Sequence, residues 1–222
     1  MIYYAAIPKE TYAAYPNAHA AEHNAALKLL GYALKKEYGI ESLPEMTCGE
    51  HGKPYFKNAD IKFNLSHCSG LAVCVVSSDE VGIDCEKTGR VSLKAAGRIF
   101  SPYENEMLEK LTGEEQSRFF SYVWTAKEAY CKATGQGLFS GLSQRDFGDN
   151  ISEYGGFYFA RHIFIQNNAE YIVTAACREP HFDYFKAIPH KDCTVDAPTN
   201  FSEDCIETTQ EYWRIARSFC VI

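Results

Sequence analysis

The sequence predicts an α+β protein made of two similar α/β halves. Two observations support this fold class. A long segment with helical periodicity occurs at 19–40 and again at 114–135, and each is followed by short segments with strand character. The order of elements therefore repeats on either side of about residue 100, without an accompanying residue-level repeat. We expect an N-terminal half at 1–100 and a C-terminal half at 101–222, which includes an extension from about residue 180.

In the N-terminal half, apolar residues at helical spacing predict a helix from His19 that ends near Gly39. Turn residues and short strands follow, up to His67. The segments LAVCVVS (71–77) and VGIDCEK (81–87) are rich in β-forming residues and are separated only by residues 78–80. This spacing predicts that the two strands pair as a hairpin.

In the C-terminal half, a short helix is expected before residue 100, and Ser101 followed by Pro102 is typical of the start of another helix. The long helix at 114–135 comes next. Two strand segments, FYFARHIFIQ and YIVTAACRE, flank Asn167 and Asn168, which predicts a hairpin. A loosely amphipathic segment at 201–219 predicts a last helix that covers the core.

Composition argues against several classes of protein. The 46% of hydrophobic residues indicates a folded globular chain, and the net charge of -7 argues against general nucleic-acid binding. No apolar run approaches the roughly 20 residues needed to span a membrane, and the amino terminus lacks the pattern of a secretory signal, so we expect a cytoplasmic protein. Nine scattered cysteines without C-x-x-C spacing indicate neither a disulfide framework nor a zinc site. Most are expected to be small buried hydrophobes.

The strand VGIDCEK carries the first candidate site. Because side chains alternate along a strand, Asp84 and Glu86 share one face while Ile83 and Cys85 share the other. Carboxylates about 6.6 Å apart on one face repel each other, and a hard cation such as Mg²⁺ resolves that repulsion. The alternative is that this face is simply the solvated side of an antiparallel strand.

The helix WTAKEAYCKATG carries the second candidate site. Trp124, Glu128 and Lys132 fall along one stripe of the helix, since residues four apart are neighbours. An exposed pair of this kind contributes only about 0.3–0.5 kcal/mol and needs no function. A tryptophan on the same stripe, however, indicates that the pair lies at a buried boundary.

A third candidate is the tetrapeptide NLSH, in which Ser66 and His67 stand at the end of a predicted strand. Small polar groups and backbone amides at such a position suit a phosphate. A turn in which Ser66 bonds to its own backbone is an equally good interpretation of the tetrapeptide alone.

Together these segments resemble the 4'-phosphopantetheinyl transferases of the larger, surfactin-synthetase-activating type. That family has a G-x-D-x-E strand and a W-[ST]-x-K-E-x-x-x-K helix that ends in G-x-G-L. The matching segments here are GIDCE (82–86) and WTAKEAYCKATGQGL (124–138). Lesser motifs of the family are similar to GKPYF (52–56), FNLSH (63–67) and RIFSPYE (98–104), in the same order. The resemblance covers roughly residues 25 to 178.

The resemblance implies an enzyme that moves 4'-phosphopantetheine from coenzyme A to a serine of an acyl, peptidyl or aryl carrier protein and releases 3',5'-ADP. In that family two like halves form a pseudo-dimer that holds coenzyme A and a metal in the cleft between them. We therefore expect a monomer that depends on Mg²⁺ and has neither a nucleic-acid nor a membrane partner.

The roles of individual residues follow from the same resemblance. The expected Mg²⁺ ligands are Asp84, Glu86 and Glu128. The residues expected to hold coenzyme A are Lys53, Ser66, His67, Asp84 and Lys132, with Ser66 and His67 at its 3'-phosphate. Glu104 is expected to accept the serine proton, and Glu128 is the competing base.

The chain departs from the family in one respect. Family members carry arginines in the first helix that help to hold coenzyme A, whereas no arginine precedes Arg90 here. Lys28, or His23 if protonated, is the available substitute, but neither offers the bidentate fork of a guanidinium. Two other functions stay open: a non-catalytic module that binds carrier proteins or coenzyme A, and another Mg²⁺-dependent phosphoryl-transfer enzyme. The absence of a P-loop disfavours the second.

Overall fold

The structure is a computed structural model that describes residues 1–49, 51–137, 141–148, 150–180 and 185–188. The last helix predicted at 201–219 lies outside the described residues, as does most of the extension expected after residue 180. Leu138, the last residue of the second family motif, also lies outside them.

Four α-helices occur in the described residues. They are α1 (Ala18–Tyr38), α2 (Leu93–Ile99), α3 (Pro102–Lys110) and α4 (Gly113–Thr134). Both long helices begin and end close to their predicted positions. Gly39 and Gly135 end them with φ near 69°, a left-handed conformation that glycine adopts without strain. Ser101 begins α3 in a reciprocal capping box with Glu104, so the predicted helix start is confirmed.

The strands form two four-stranded sheets and one two-stranded ribbon in the described residues. The first sheet has the order β10 (Phe185–Ala187), β1 (Ile2–Ala6), β5 (Leu71–Ser77), β4 (Lys62–Cys68). The second has the order β6 (Val81–Lys87), β9 (Ala169–Cys177), β8 (Phe157–Gln166), β7 (Glu153–Tyr154). The ribbon pairs β2 (Met46–Cys48) with β3 (Pro54–Phe56).

Two predictions about strand pairing have different outcomes. The hairpin at Asn167 and Asn168 is confirmed, because β8 pairs with β9 and both asparagines have positive φ, at 50° and 59°. The hairpin between β5 and β6 is wrong. β5 pairs with β1 and β4, whereas β6 pairs with β9, so residues 78–80 carry the chain from one sheet to the other.

Sheet membership also changes the predicted halves. β6 belongs to the second sheet, so the chain passes from one sheet to the other near residue 80 instead of residue 100. Beyond residue 180 the chain returns to the first sheet, where β10 pairs in parallel with β1. The extension therefore contributes a strand to the N-terminal half, which the sequence did not indicate.

The elements pack in layers around three apolar interfaces. α1 packs on one face of the first sheet, where Leu30 and Cys74 share a cluster. The other face packs against the second sheet, where Val73 and Ile83 share a cluster. α4 covers the far face of the second sheet, with Ala129 in contact with that sheet's core. As a result β4 and β6, edge strands of the two sheets, lie beside each other, and α4 packs against β6.

The cysteines mostly follow the prediction. Cys74, Cys85, Cys131 and Cys177 are buried free thiols, whereas Cys48 is disulfide-bonded. Within the part of the chain that the structure describes, no helix combines the length and the apolar character needed to span a membrane.

Candidate active site

The position of the site depends on Gly82, where β6 touches α4. A Cβ atom at residue 82 would lie 2.1 Å from the carbonyl oxygen of Ala129 and 2.3 Å from the nitrogen of Ala133. Only glycine allows the backbones to come this close. Residues 82, 84 and 86 lie on the same face of β6, so the contact at Gly82 brings Asp84 next to the last turns of α4.

Lys132 lies at the centre of the site. Its Nζ atom donates a hydrogen bond to Asp84 Oδ1 at 2.6 Å and to Ser66 Oγ at 3.1 Å. Ser66 in turn donates to Asp84 Oδ1 at 2.8 Å. The three residues come from α4, β6 and β4, so the site joins both sheets and the helix above them. All three side chains are buried.

Glu128 lies beside this group, one helical turn before Lys132. It is buried, and its Oε2 atom has no hydrogen-bond partner among the described residues; the same is true of Asp84 Oδ2. Burial raises the pKa of Glu128 to about 8, with Lys132 working against that rise and Asp84 and Glu86 adding to it. Burial alone would lower the pKa of Lys132, but Asp84 and Glu128 outweigh it and the pKa is raised.

The stripe predicted from Trp124, Glu128 and Lys132 is buried along its whole length. Trp124 stacks on Phe120 with ring centroids 5.7 Å apart and belongs to the core beneath α4. The tryptophan therefore anchors the helix, while the two charged residues extend from that core to the meeting point of the sheets. This supports the interpretation of the pair as a buried boundary and not a surface ion pair.

The three carboxylates proposed as metal ligands interact electrostatically, although they do not surround a common point. Asp84 and Glu86 both act on the pKa of Glu128. Among the described residues no group of three or more His, Cys, Asp or Glu side chains has the arrangement of a metal site. The ammonium of Lys132 neutralises Asp84 Oδ1 here. The donor chemistry nevertheless fits Mg²⁺, because Asp84 and Glu128 each keep a buried oxygen without a hydrogen bond.

His67 faces away from Ser66, because neighbouring residues of β4 point to opposite sides. Its Nδ1 atom lies 3.1 Å from Glu22 Oε2, and the rings of His19 and His23 lie close by. These rings border a pocket that is lined by His67, His23, Lys53 and Lys132, among others. The i,i+4 spacing of His19 and His23 on α1 was the sequence signal for this histidine group, and sequence reasoning did not use it.

Lys53 borders the same pocket, but its ammonium is already bonded. It donates to Glu80 Oε2 at 2.7 Å and to the carbonyl oxygen of Ala133 at 2.8 Å. Burial lowers its pKa, with Glu80 opposing that effect. In this arrangement Lys53 ties the loop between β2 and β3 to the carboxyl end of α4, where a cation is favourable.

Glu104 is not part of the group around Lys132. It is fully buried and forms an ion pair at 2.6 Å with Lys127, the lysine that precedes Glu128. Its oxygens also accept hydrogen bonds from the backbone nitrogens of Ser101 at 2.7 Å and Phe147 at 2.6 Å. Lys127 donates to the carbonyl oxygens of Ile99, Leu142 and Arg145. Sequence reasoning gave Lys127 no role, and nothing local signals its distant partners.

Residues 80–183 match the family described as the 4'-phosphopantetheinyl transferase superfamily. This range includes both segments that bring Asp84, Glu128 and Lys132 together. The match makes the chain similar to that superfamily over just under half of its length. Lys53, Ser66 and His67 lie outside the matched range.

Curated proteins that are named 4'-phosphopantetheinyl transferases are also similar to this chain. A 4'-phosphopantetheinyl transferase of Bacillus subtilis is 36% identical over 112 residues, which are 50% of this chain and 50% of the relative. The transferase gsp of Aneurinibacillus migulanus is 36% identical over 117 residues, 50% of this chain and 49% of the relative. The transferase Sfp of Bacillus subtilis (strain 168) is 39% identical over 90 residues, 40% of each chain. The alignments thus span half or less of the length of these relatives.

Proposed function

We propose that this chain is an Mg²⁺-dependent 4'-phosphopantetheinyl transferase that takes the phosphopantetheine group from coenzyme A, attaches it to a serine of a carrier protein and releases 3',5'-ADP. The observation that supports this most is the buried group in which Lys132 binds both Asp84 and Ser66, with Glu128 beside it. Similarity to proteins named as such transferases gives the reaction class.

In this proposal Asp84, Glu86 and Glu128 would hold Mg²⁺. The buried oxygens Asp84 Oδ2 and Glu128 Oε2 are the donors that the described residues leave available. When bound, the metal would neutralise charge on the pyrophosphate of coenzyme A. Two carboxylates with additional ligands from phosphate and water are the usual environment of this ion in phosphoryl-transfer sites.

Lys132 would bind a pyrophosphate oxygen, since its pKa is raised and it keeps its charge even though it is buried. The serine oxygen of the carrier attacks the phosphorus next to the pantetheine, and the bond from that phosphorus to the bridging oxygen breaks. 3',5'-ADP then leaves with the bridging oxygen. A fixed cation stabilises the charge that develops on that leaving group, because it needs no reorganisation during the reaction.

The serine proton would go to Glu128. We assign the proton to Glu128 instead of Glu104, because the oxygens of Glu104 already bind Lys127 and three backbone nitrogens. Ser66 would orient Asp84 by its hydrogen bond.

Coenzyme A would occupy the pocket between α1, β4 and the end of α4, with its 3'-phosphate near His67. Lys53 would support this pocket and would reach phosphate only by giving up Glu80. The family resemblance is the ground for proposing a pseudo-dimeric arrangement of the halves, a cytoplasmic monomer, and acyl, peptidyl or aryl carriers as partners.

Mass spectrometry tests the proposal. The chain is incubated with coenzyme A, MgCl₂ and a panel of apo-carrier proteins, and we expect one carrier to gain the mass of phosphopantetheine while 3',5'-ADP accumulates. Asp84→Ala and Glu128→Gln should each abolish the transfer while circular dichroism shows a folded chain. Transfer that persists in both variants would exclude this site, and binding of coenzyme A without transfer to any carrier would indicate a non-catalytic module.

A further inference from the structure

Cys48 differs from the other cysteines of the described residues in its bonding. It is disulfide-bonded, whereas the others are free thiols. These free cysteines are Cys68, Cys74, Cys85, Cys131 and Cys177. The partner of Cys48 is therefore one of the cysteines outside the described residues, which are Cys193, Cys205 and Cys220. The disulfide thus joins strand β2 to the C-terminal segment of the chain.

Cys48 lies on the side of the β2–β3 ribbon that borders the pocket of the proposed active site. It is directly opposite Pro54, and Met46 is opposite Phe56. Opposite residues of an antiparallel pair share a face, as do residues two apart on one strand, so Cys48 shares its face with Met46 and Pro54. Both of these residues line the pocket. A segment bonded to Cys48 is therefore held at the wall that the ribbon contributes to that pocket.

We propose that residues 201–222 cover this side of the pocket while they are bonded to Cys48, and that reduction of the disulfide uncovers it. Cys48 is then a redox-sensitive site that controls how readily coenzyme A enters. The part of this inference that concerns coenzyme A rests on the proposed function, whereas the disulfide itself does not.

The length of chain after Ile188 is sufficient for this contact. The nitrogen of Ile188 donates to the carbonyl oxygen of Tyr4 at 2.9 Å, beside β10. β10 and β4 are the two edges of the first sheet, about 14 Å apart at the usual strand spacing, and the ribbon contacts β4. Cys193 follows Ile188 by five residues, which span at most about 18 Å when fully extended. Cys205 and Cys220 have the longer reach that a path around the sheet needs.

The segment and the pocket wall also match in character. Leu27 and Phe63 line the pocket near the ribbon, together with Met46. The segment at 201–219 is loosely amphipathic, and Ile206 directly follows Cys205. Apolar residues next to the bonded cysteine can therefore bury part of this wall.

The disulfide would form and break by thiol–disulfide exchange. With glutathione disulfide as the oxidant, the Cys48 thiolate attacks one sulfur and a glutathione thiolate leaves. The C-terminal thiolate then attacks the sulfur of Cys48, and the second glutathione leaves. The two cysteines together give up two protons and two electrons, and a dithiol reverses the reaction. Cys48 is half-buried, so a reductant can reach it, and disulfides in the cytoplasm proposed above are usually transient or redox-sensing.

Peptide mapping of the full chain by mass spectrometry tests the disulfide. The chain is equilibrated with glutathione disulfide or with dithiothreitol, its free thiols are alkylated during denaturation, and it is digested. We expect the Cys48 peptide to be linked to a peptide with Cys205 or Cys220 in the oxidised sample, and to be alkylated in the reduced one. Cys48 that is alkylated in both samples would overturn the inference.

The kinetics of carrier modification test the cover. Reduction should lower the KM for coenzyme A at least about fivefold and leave kcat within about twofold, because a cover lowers the fraction of open molecules without touching the reacting groups. Cys48→Ser should show the low KM in both samples. If the oxidised sample contains the disulfide and its KM equals that of the reduced sample, the segment does not cover the pocket.

Cys68→Ser is the matched control. Cys68 is the other half-buried cysteine among the described residues, and it is a free thiol. A hydrogen bond with Cys85 and burial raise its pKa, so its thiolate is scarce and exchange at this position should be slow. This variant should keep the wild-type difference in KM between the two samples. Loss of that difference would assign the response to Cys68 and contradict the role of Cys48.

Failure of this inference can be distinguished from failure of the proposed function. If the chain modifies a carrier while Cys48 stays a free thiol, only the redox control is wrong. If Cys48 is cross-linked but the chain neither binds coenzyme A nor modifies a carrier, the proposed function fails, and the control of coenzyme A entry fails with it.

Discussion

Helix α4 carries two buried lysines, five residues apart, that each form an ion pair with a carboxylate. The two pairs differ in how many of their polar atoms are hydrogen-bonded. Lys127 and Glu104 lie 2.6 Å apart, as do Lys132 and Asp84. Lys127 has three carbonyl acceptors besides Glu104, and Glu104 accepts from backbone nitrogens. Asp84 instead keeps one buried oxygen without a hydrogen bond, and neighbouring Glu128 does the same.

The difference separates an ion pair with a structural role from one that fits the proposed reaction. A buried pair whose donors and acceptors are all satisfied holds its surroundings in place and offers no atom to a ligand. A buried carboxylate oxygen without a partner is costly to the fold, and such a cost is typical of a site that binds or reacts. In α4, therefore, Lys127 fixes the helix to the loop after residue 141, whereas Lys132 has the position that the proposed reaction requires.

Replacing each lysine by methionine should give the largest contrast in activity. Lys132→Met should lower the rate of carrier modification by about 10² to 10³, because it removes a fixed cation near the developing charge. Lys127→Met should leave the rate per folded molecule within about threefold. Single-turnover transfer, normalised to the folded fraction from circular dichroism, measures both. A Lys127→Met variant that folds normally and loses transfer would contradict the assignment of Lys127 to structure.

Lys127→Met should also lower the free energy of unfolding. Lys127→Met leaves Glu104 as an unpaired buried charge, which should cost roughly 3–5 kcal/mol of unfolding free energy in urea titrations. The double variant Lys127→Met with Glu104→Leu should recover much of this loss, since no lone charge is left. If Lys127→Met alone is as stable as the wild type, the pair does not hold the loop.

The sequence predicts features that depend on neighbouring residues better than contacts between segments that are far apart in the chain. The helix start at Ser101, the glycine ends of α1 and α4 and the stripe through Glu128 and Lys132 depend on residues within a few positions of each other. The pairing of β6 with β9 joins segments about 90 residues apart, and a short link to β5 suggested a hairpin instead. Likewise Glu104 fits a family motif, but its role depends on Phe147, which is 43 residues away.

The close contact that positions the reactive pair can be broken at Gly82. Gly82→Ala places a Cβ atom 2.1 Å from the backbone of α4, so strand and helix must move apart. We expect a loss of roughly 1–3 kcal/mol in unfolding free energy, together with reduced transfer, because Asp84 moves away from Lys132. Gly97→Ala in α2 is the matched control. Nothing lies within 4 Å of its Cβ position, so it should gain about 0.4–1 kcal/mol.

The buried carboxyl of Glu128 should also make the stability of the fold depend on pH. The pKa of Glu128 is raised in the folded chain to about 8 from an ordinary value of 4.5, so the folded state binds the extra proton between these values. The stabilisation is complete below the ordinary pKa and is lost as pH rises towards 8, with a slope of at most about 1.4 kcal/mol per pH unit. Urea titrations with a chelator present should show stability falling from pH 6.5 to 8, above the range in which the lowered pKa of His23 acts in the opposite direction. Glu128→Gln should remove that part of the slope. A slope that persists in Glu128→Gln would show that the buried carboxyl of Glu128 is not the source of the pH dependence.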